Sequence, residues 1–441
     1  MVKPSLVFLA LYIAEILLVS TFLVESTYPR DRPEYSSRDW VAIWGGSGRE
    51  YARSLTCSEG YIFVTGDTTS YGPGEENVFL LKYSGDGQLI WNHTWGGDGF
   101  SMGRAMVASG GTLYICGIRS TGNESSALLL KYDDDGTLIW SREWRGRTDA
   151  IGRGVAVDSS GSIYITGYTR GNESKTWSFL LKYKPDGSLI WARELNESDT
   201  ETGWAVSVDD GIYLSCTIGR TEIQSMSLGA LPRTRMMLRK FDFDGNLLWT
   251  RSWGTGLENF GLAVTSSKDR IFQAGFARLI NGTAKFALLE YTSNGDLLHA
   301  HLFGDSFESY AWSVVVTGPY VYVVGHEMSP SFMDAKDAYV AKLGAEGNML
   351  WSRTWGGFGD DIARSVAVEG DRVYVTGITY GVGEGGQVFL LAYTSPNPSV
   401  EPGLVIKLAS LGVGIALLIV VAYEGIRRNA LRKAPDQKDV K

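Results

Sequence analysis

The sequence predicts an all-β chain, a seven-bladed β-propeller of four-stranded antiparallel blades, and three observations carry that reading. The first is a recurring turn-and-strand phrase: "DGQLIW" ends at Trp91, "DGTLIW" at Trp140, "DGSLIW" at Trp191, "DGNLLW" at Trp249 and "EGNMLW" at Trp351. The second is its spacing. With Trp40 opening the series and His299 filling the same slot, the intervals are 51, 49, 51, 58, 50 and 52 residues, so seven units of one kind tile residues 40–393. The third is composition: Gly (54) and Trp (14) are abundant while helix-period patterns are scarce outside the two ends, as in turn-rich β proteins.

Residues 152–195 show one unit in full: "GRGVAVD", the turn Ser159-Ser160-Gly161, "SIYITGYT", a polar loop, "WSFLLKY", the turn Pro185-Asp186-Gly187, and "LIWAREL". Pro fixes φ, Asp caps its own turn and Gly tolerates positive φ, which is the chemistry of a hairpin. The third strand is nearly all apolar, as befits a sheet covered on both faces. Tight turns join the first strand to the second and the third to the fourth. A longer Gly-rich crossing such as "GGFGDDIA" (356–363) leads to the next unit. The first strand is therefore innermost and the fourth outermost. Eleven of the fourteen Trp fall at the marker position or four residues later, on one strand face, and are expected to pack between blades.

The ends fit a closed ring. The first unit opens on a lone outer strand, "DWVAIWGG" (39–46), and the last stops at a third strand, "VFLLAY" (388–393), with "TSPNPS" where a hairpin is due. The N-terminal strand is expected to complete the seventh blade. The run "WGGFGDDIARSVAVEGDRVYVTGIT" (355–379) and its siblings resemble the SBBP repeats of prokaryotic extracellular proteins, over residues 40–393. The resemblance implies a seven-bladed propeller serving as a surface or adhesion module, without a shared catalytic motif. Unit four departs most, through the insert "RTEIQSMSLGALPRT" (220–234).

Outside the ring, residues 1–28 read as a signal peptide or a signal anchor, built on the apolar stretch 6–24 after Lys3. Residues 29–39 and 394–402 read as linkers. Residues 403–423 are long and apolar enough to span a bilayer as a helix, and 424–441 form a basic tail. Arg427, Arg428, Arg432 and Lys433 place that tail in the cytoplasm and the propeller outside. Five sequons, at Asn92, Asn123, Asn172, Asn196 and Asn281, agree with an extracytoplasmic domain. The net charge is −8, and the basic tail leaves the remainder more acidic still, a poor surface for nucleic acid. Cys57, Cys116 and Cys216 lack disulfide or zinc spacing and read as buried thiols.

Recognition is expected on the face carrying the crossings and the loops between second and third strands, here the mouth face. One aligned position near the start of the inner strands reads Arg364, Arg53, Arg104 and Arg153 on four consecutive blades, then Trp204, Leu262 and Trp312. Two readings fit. One is a pocket for an acidic, partly apolar ligand such as an anionic sugar. The other, which is the expectation, is structural ion pairing of each Arg with a crossing-loop acid (Glu50, Asp149 or Asp361). His299 with His301, and "YDDDG" (132–136), are poor metal candidates, and no metal or cofactor is expected. No nucleophile elbow, HExxH motif or phosphate loop is present. The chain is thus expected to be a membrane-tethered binding or surface-structural propeller with a glycan or envelope-protein ligand, and not an enzyme. The alternatives are a quinoprotein-like or carbohydrate-active enzyme, or an envelope assembly factor.

Overall fold

The computed structural model describes residues 39–395 apart from 147–148, 171–174, 196–199, 220–233, 256, 330–334, 345 and 383–384. The expected leader 1–28, spanning segment 403–423 and tail 424–441, and the sequons Asn172 and Asn196, lie outside the described residues. Among the described residues no helix is long and apolar enough to cross a membrane.

Twenty-eight strands form seven four-stranded antiparallel sheets. Six sheets take four strands in chain order, and the seventh is closed by the N-terminal strand Trp40–Trp44 against Gln387–Thr394, with Trp40 opposite Ala392 and Trp44 opposite Val388. The Thr394 amide donates to Asp39 at 2.7 Å, fixing the joint. Third strands are buried along nearly their whole length, as in Asn77–Ser84 and Gln387–Thr394. A blade sandwiched between two neighbours has no solvent face, hence the apolar runs.

The core is divided by blade junction. One cluster joins Phe79 and Leu81 of the first blade to Val388 and Leu390 of the seventh, another joins Ile115 and Leu128 to Val64's neighbours Phe63 and Leu80, and so on around the ring. An eighth cluster, Leu262, Phe276 and Ala284 with Trp204, Phe260, Tyr310 and Trp312, sits at the mouth.

The repeated phrase is a latch between outer strands. Gly245, at φ +82°, lies against the Trp191 indole of the preceding blade, where a Cβ would come within 3.1 Å of the ring. Gly87 meets Trp40 in the same way. Lysines from the third strands cap the neighbouring turn: Lys82 Nζ donates to the Asp134 carbonyl at 2.8 Å, Lys131 to Pro185 at 3.1 Å and Lys182 to Phe243 at 3.0 Å. The "YDDDG" acids serve the same turn, since Asp133 accepts from the Thr137 amide at 2.7 Å. His299 Nδ1 lies 3.0 Å from Glu290 Oε2, the residue that replaces the latch lysine in its blade. Cys116 and Cys216 are buried and Cys57 half-buried, all free; burial pushes the Cys57 and Cys116 thiols up to about 12.

Candidate functional site at the channel mouth

Every inner strand carries a β-bulge, and in all seven blades the bulged residue is the one singled out by the repeat. The register breaks around Arg53, Arg104, Arg153, Trp204, Leu262, Trp312 and Arg364. A bulge leaves one residue unpaired and re-aims its side chain. The facing residue on the second strand is Gly in six blades because the bulge presses the two backbones together. A Cβ on Gly167 would lie 1.9 Å from the Ile151 carbonyl oxygen, and one on Gly66 equally close to that of Tyr51. Cys216 holds this position in the fourth blade.

The residue after that Gly faces the same way and varies as freely: Asp67, Ile118, Tyr168, Thr217, Phe276, His326 and Ile378. Repeat alignment reveals this second ring, but it lies inside an apolar strand and reads as core.

Members of the two rings touch across the mouth, joined by Tyr51 and Tyr310. Arg364 stacks 3.8 Å from the Trp312 ring and 5.0 Å from that of Tyr51, and donates to the Tyr51 hydroxyl. Arg53 lies 4.3 Å from the Tyr51 ring and donates through Nε to buried Asp67. Arg153 stacks 4.5 Å from the Trp204 ring. Trp204 Nε1 donates to Thr217 at 3.1 Å and Trp312 Nε1 to His326 Nδ1 at 3.0 Å. Phe276 meets Tyr310 edge-on at 4.2 Å, closing the apolar arc.

The expected ion pairs of the arginines with crossing-loop acids are not found. Glu50 accepts from the Gly46 amide and the Thr68 hydroxyl, both at 2.9 Å. Asp149 accepts from the Ser125 amide at 2.8 Å, and Asp361 from the Gly357 amide at 2.9 Å. Each of these acids accepts from a backbone amide on the mouth face, where amides without a strand partner need acceptors. Among the described residues, Arg53 is the one bulge arginine paired with a carboxylate, and that carboxylate is Asp67.

The electrostatic consequence is a crowded positive arc. Burial and the neighbouring Arg53 and Arg153 push Arg104 down to about 9. Burial likewise lowers Arg153 and Arg364. Among the described residues, the buried Nε atoms of Arg104, Arg153 and Arg364 have no hydrogen-bond partner. Burial, Arg364 and Lys336 push His326 down to about 3, so it is neutral and accepts from Trp312.

Beside Arg153 the mouth deepens into a cavity of about 250 Å³ between the third and fourth blades. It is lined by Arg153, Tyr168, Arg170, Trp204 and Phe260 with Thr176, Thr200, Thr202, Thr217 and Thr234. Gly219, just before the insert of unit four, and Thr234, its last residue, are both in its wall. Of the sequons, Asn123 and Asn281 are exposed in turns, and Asn92 is exposed on the outer strand Leu89–Trp95.

Comparison with known proteins agrees with this architecture. Residues 139–173 match the SBBP family model, described as a beta-propeller repeat. No curated protein matches the chain. Among solved structures, a PL25 ulvan lyase bound to a glucuronate and sulfated-rhamnose saccharide is similar at 13% identity, over 79% of this chain and 97% of its own, with a TM-score of 0.51. The WD40 propeller domain of Doa1 (11% identity, 79% and 95% coverage) and the polysaccharide lyase Uly1 (11%, 84% and 94%) both give 0.48. These are likenesses of fold. They correct one expectation: a solved propeller of this shape is a polysaccharide lyase, so the lack of a catalytic motif in the sequence does not make the chain a non-enzyme.

Proposed function

We propose that the chain is an extracytoplasmic propeller that binds an acidic glycan at its channel mouth, anchored to the membrane by residues 403–423 with the basic tail in the cytoplasm. One observation carries the glycan reading: four arginines are aimed by backbone bulges into one mouth, and three have a buried Nε without a partner. Buried guanidiniums crowd together at a cost, and an incoming carboxylate or sulfate relieves it through charge-assisted bonds. The facing wall of Trp204, Phe260, Tyr310 and Trp312 offers stacking surface to sugar rings. The ulvan lyase of similar fold was solved with a glucuronate-containing saccharide, which supports a propeller as a scaffold for such a ligand.

The test is calorimetric titration of the detergent-solubilised full chain with a glucuronate oligomer, using a neutral gluco-oligosaccharide of equal length as control. Binding of the acidic oligomer alone, weakening as salt rises, is expected. Equal binding of both, or of neither, would remove the reading.

A further inference from the structure

We infer that Tyr168 is the acid–base residue of a β-elimination that cleaves a C4-linked glucuronate chain bound in the cavity beside Arg153. The inference rests on the proposed glycan reading and goes beyond it to an activity.

The argument starts from what the cavity wall holds. Among the described lining residues the titratable groups are Arg153, Arg170 and Tyr168, with five threonines, Gly219 and two further aromatic residues making up the rest. Glycoside hydrolysis by the usual route needs two carboxylates flanking the bond, and the described lining residues include none. A guanidinium beside a phenol suits a different chemistry. Arg153 Cζ lies 5.6 Å from the centre of the Tyr168 ring and 4.5 Å from that of Trp204, and its Nε has no partner. A uronate carboxylate bridged to this guanidinium loses charge, which acidifies the proton on the adjacent C5. Tyr168 lines the same cavity as Arg153.

The phenol is also tuned for the task. Burial pushes Tyr168 up, but the guanidiniums of Arg153, Arg170 and Arg104 outweigh it and hold the phenol below the usual tyrosine value. A base nearer the working pH transfers protons more effectively.

The step balances without a co-reactant. The C5–H bond breaks and its proton passes to the Tyr168 phenolate oxygen. The freed pair forms a C4=C5 double bond, and the C4–O bond breaks. The leaving oxygen takes the proton from Tyr168, which returns to phenolate. No water is consumed. Among the described lining residues Tyr168 is the one titratable group besides the two guanidiniums, so it both removes the C5 proton and protonates O4. Both must then lie on one face of the ring, as they do in glucuronate and not in galacturonate. The substrate class follows: a C4-linked glucuronate polymer.

The test incubates the full chain in detergent with a C4-linked glucuronan and, separately, with polygalacturonate, following the near-ultraviolet absorbance of the unsaturated product. Glucuronan should yield that product and polygalacturonate should be cleaved at least tenfold more slowly. The rate should rise with pH and level off below the ordinary tyrosine range. Tyr168→Phe should lower kcat by about a thousandfold while calorimetric affinity for the glucuronate oligomer stays within about twofold, the range in which a lost phenol leaves the Arg153 contact intact. Glucuronate binding with no unsaturated product, or a Tyr168→Phe chain that cleaves at the wild-type rate, would overturn the elimination and leave the glycan reading standing. Failure to bind glucuronate at all would overturn both.

Discussion

The rim and the mouth of this ring are built on the same sevenfold backbone and use it in opposite ways. At the rim the side chains repeat with the backbone: Gly245 under Trp191 has its counterpart in Gly87 under Trp40, and Lys82, Lys131 and Lys182 cap successive turns. At the mouth the bulge repeats in every blade while the bulged residue changes from Arg to Trp or Leu. Stability needs the same junction seven times. It does not need four guanidiniums on adjacent blades, two of them flanking an Arg104 that burial and they depress. The difference separates what closes the ring from what the ring presents.

The largest effect should come from opening the rim. Deleting residues 39–46 removes the partner of Gln387–Thr394 and the Trp44 ring that packs 4.8 Å from Phe79. An unpaired, apolar edge is a template for association. Light scattering should show aggregates and calorimetry should lose the cooperative melt; a monomer melting like the parent would show that closure is not through this strand.

The bulge itself is the next target. Gly167→Val places a side chain 1.9 Å from the Ile151 carbonyl, so the backbones must part. Denaturant unfolding should show a loss of about 3 kcal/mol, the upper range for overpacking. A value near zero would mean that Gly is not required opposite the bulge.

Acid should then act through the apolar arc. His326 is held down to about 3, chiefly by burial, while in the unfolded chain it titrates near the ordinary histidine value. Between those values the unfolded state binds the extra proton, so stability falls as pH falls, by about 1.4 kcal/mol per pH unit from this group. His326→Gln should flatten that part of the stability–pH profile below about pH 6.5. An unchanged profile would mean His326 protonates without cost in the folded ring.

The smallest effect is expected at a single rim latch. Lys131→Met loses the 3.1 Å bond to the Pro185 carbonyl and the ammonium that lies 5.3 Å from the Tyr114 ring and 5.9 Å from that of Trp140. An exposed bond of this kind should cost about 1 kcal/mol in a melting experiment. A loss several times larger would show that the junctions depend on single polar contacts and not on their apolar clusters.

Much of the ring was legible in the sequence because its devices are local. Asp-Gly before "LIW" states a turn and a strand, the spacing counts the blades, and "VFLLAY" without a hairpin points to the strand at Trp40. The bulged position was legible too, since alignment of the repeats sorts it into an Arg arc and an apolar arc. What its arginines touch was not. Glu50 and Asp361 look like salt-bridge partners, yet each is four residues after the Gly amide it caps, Gly46 and Gly357. Asp67, Tyr168 and His326 were missed because each follows a Gly within an apolar strand, and the bulge alone turns that position toward the mouth.

The central claim, that the Arg arc is presented for a ligand and not required by the fold, meets its most direct test in Arg104→Gln. The full chain should melt at or above the parent's temperature, because a crowded, desolvated charge is removed. Its affinity for the glucuronate oligomer should fall by about 1.5–3 kcal/mol, the worth of one charge-assisted contact. Unchanged affinity together with a lower melting temperature would contradict the account and return Arg104 to the architecture.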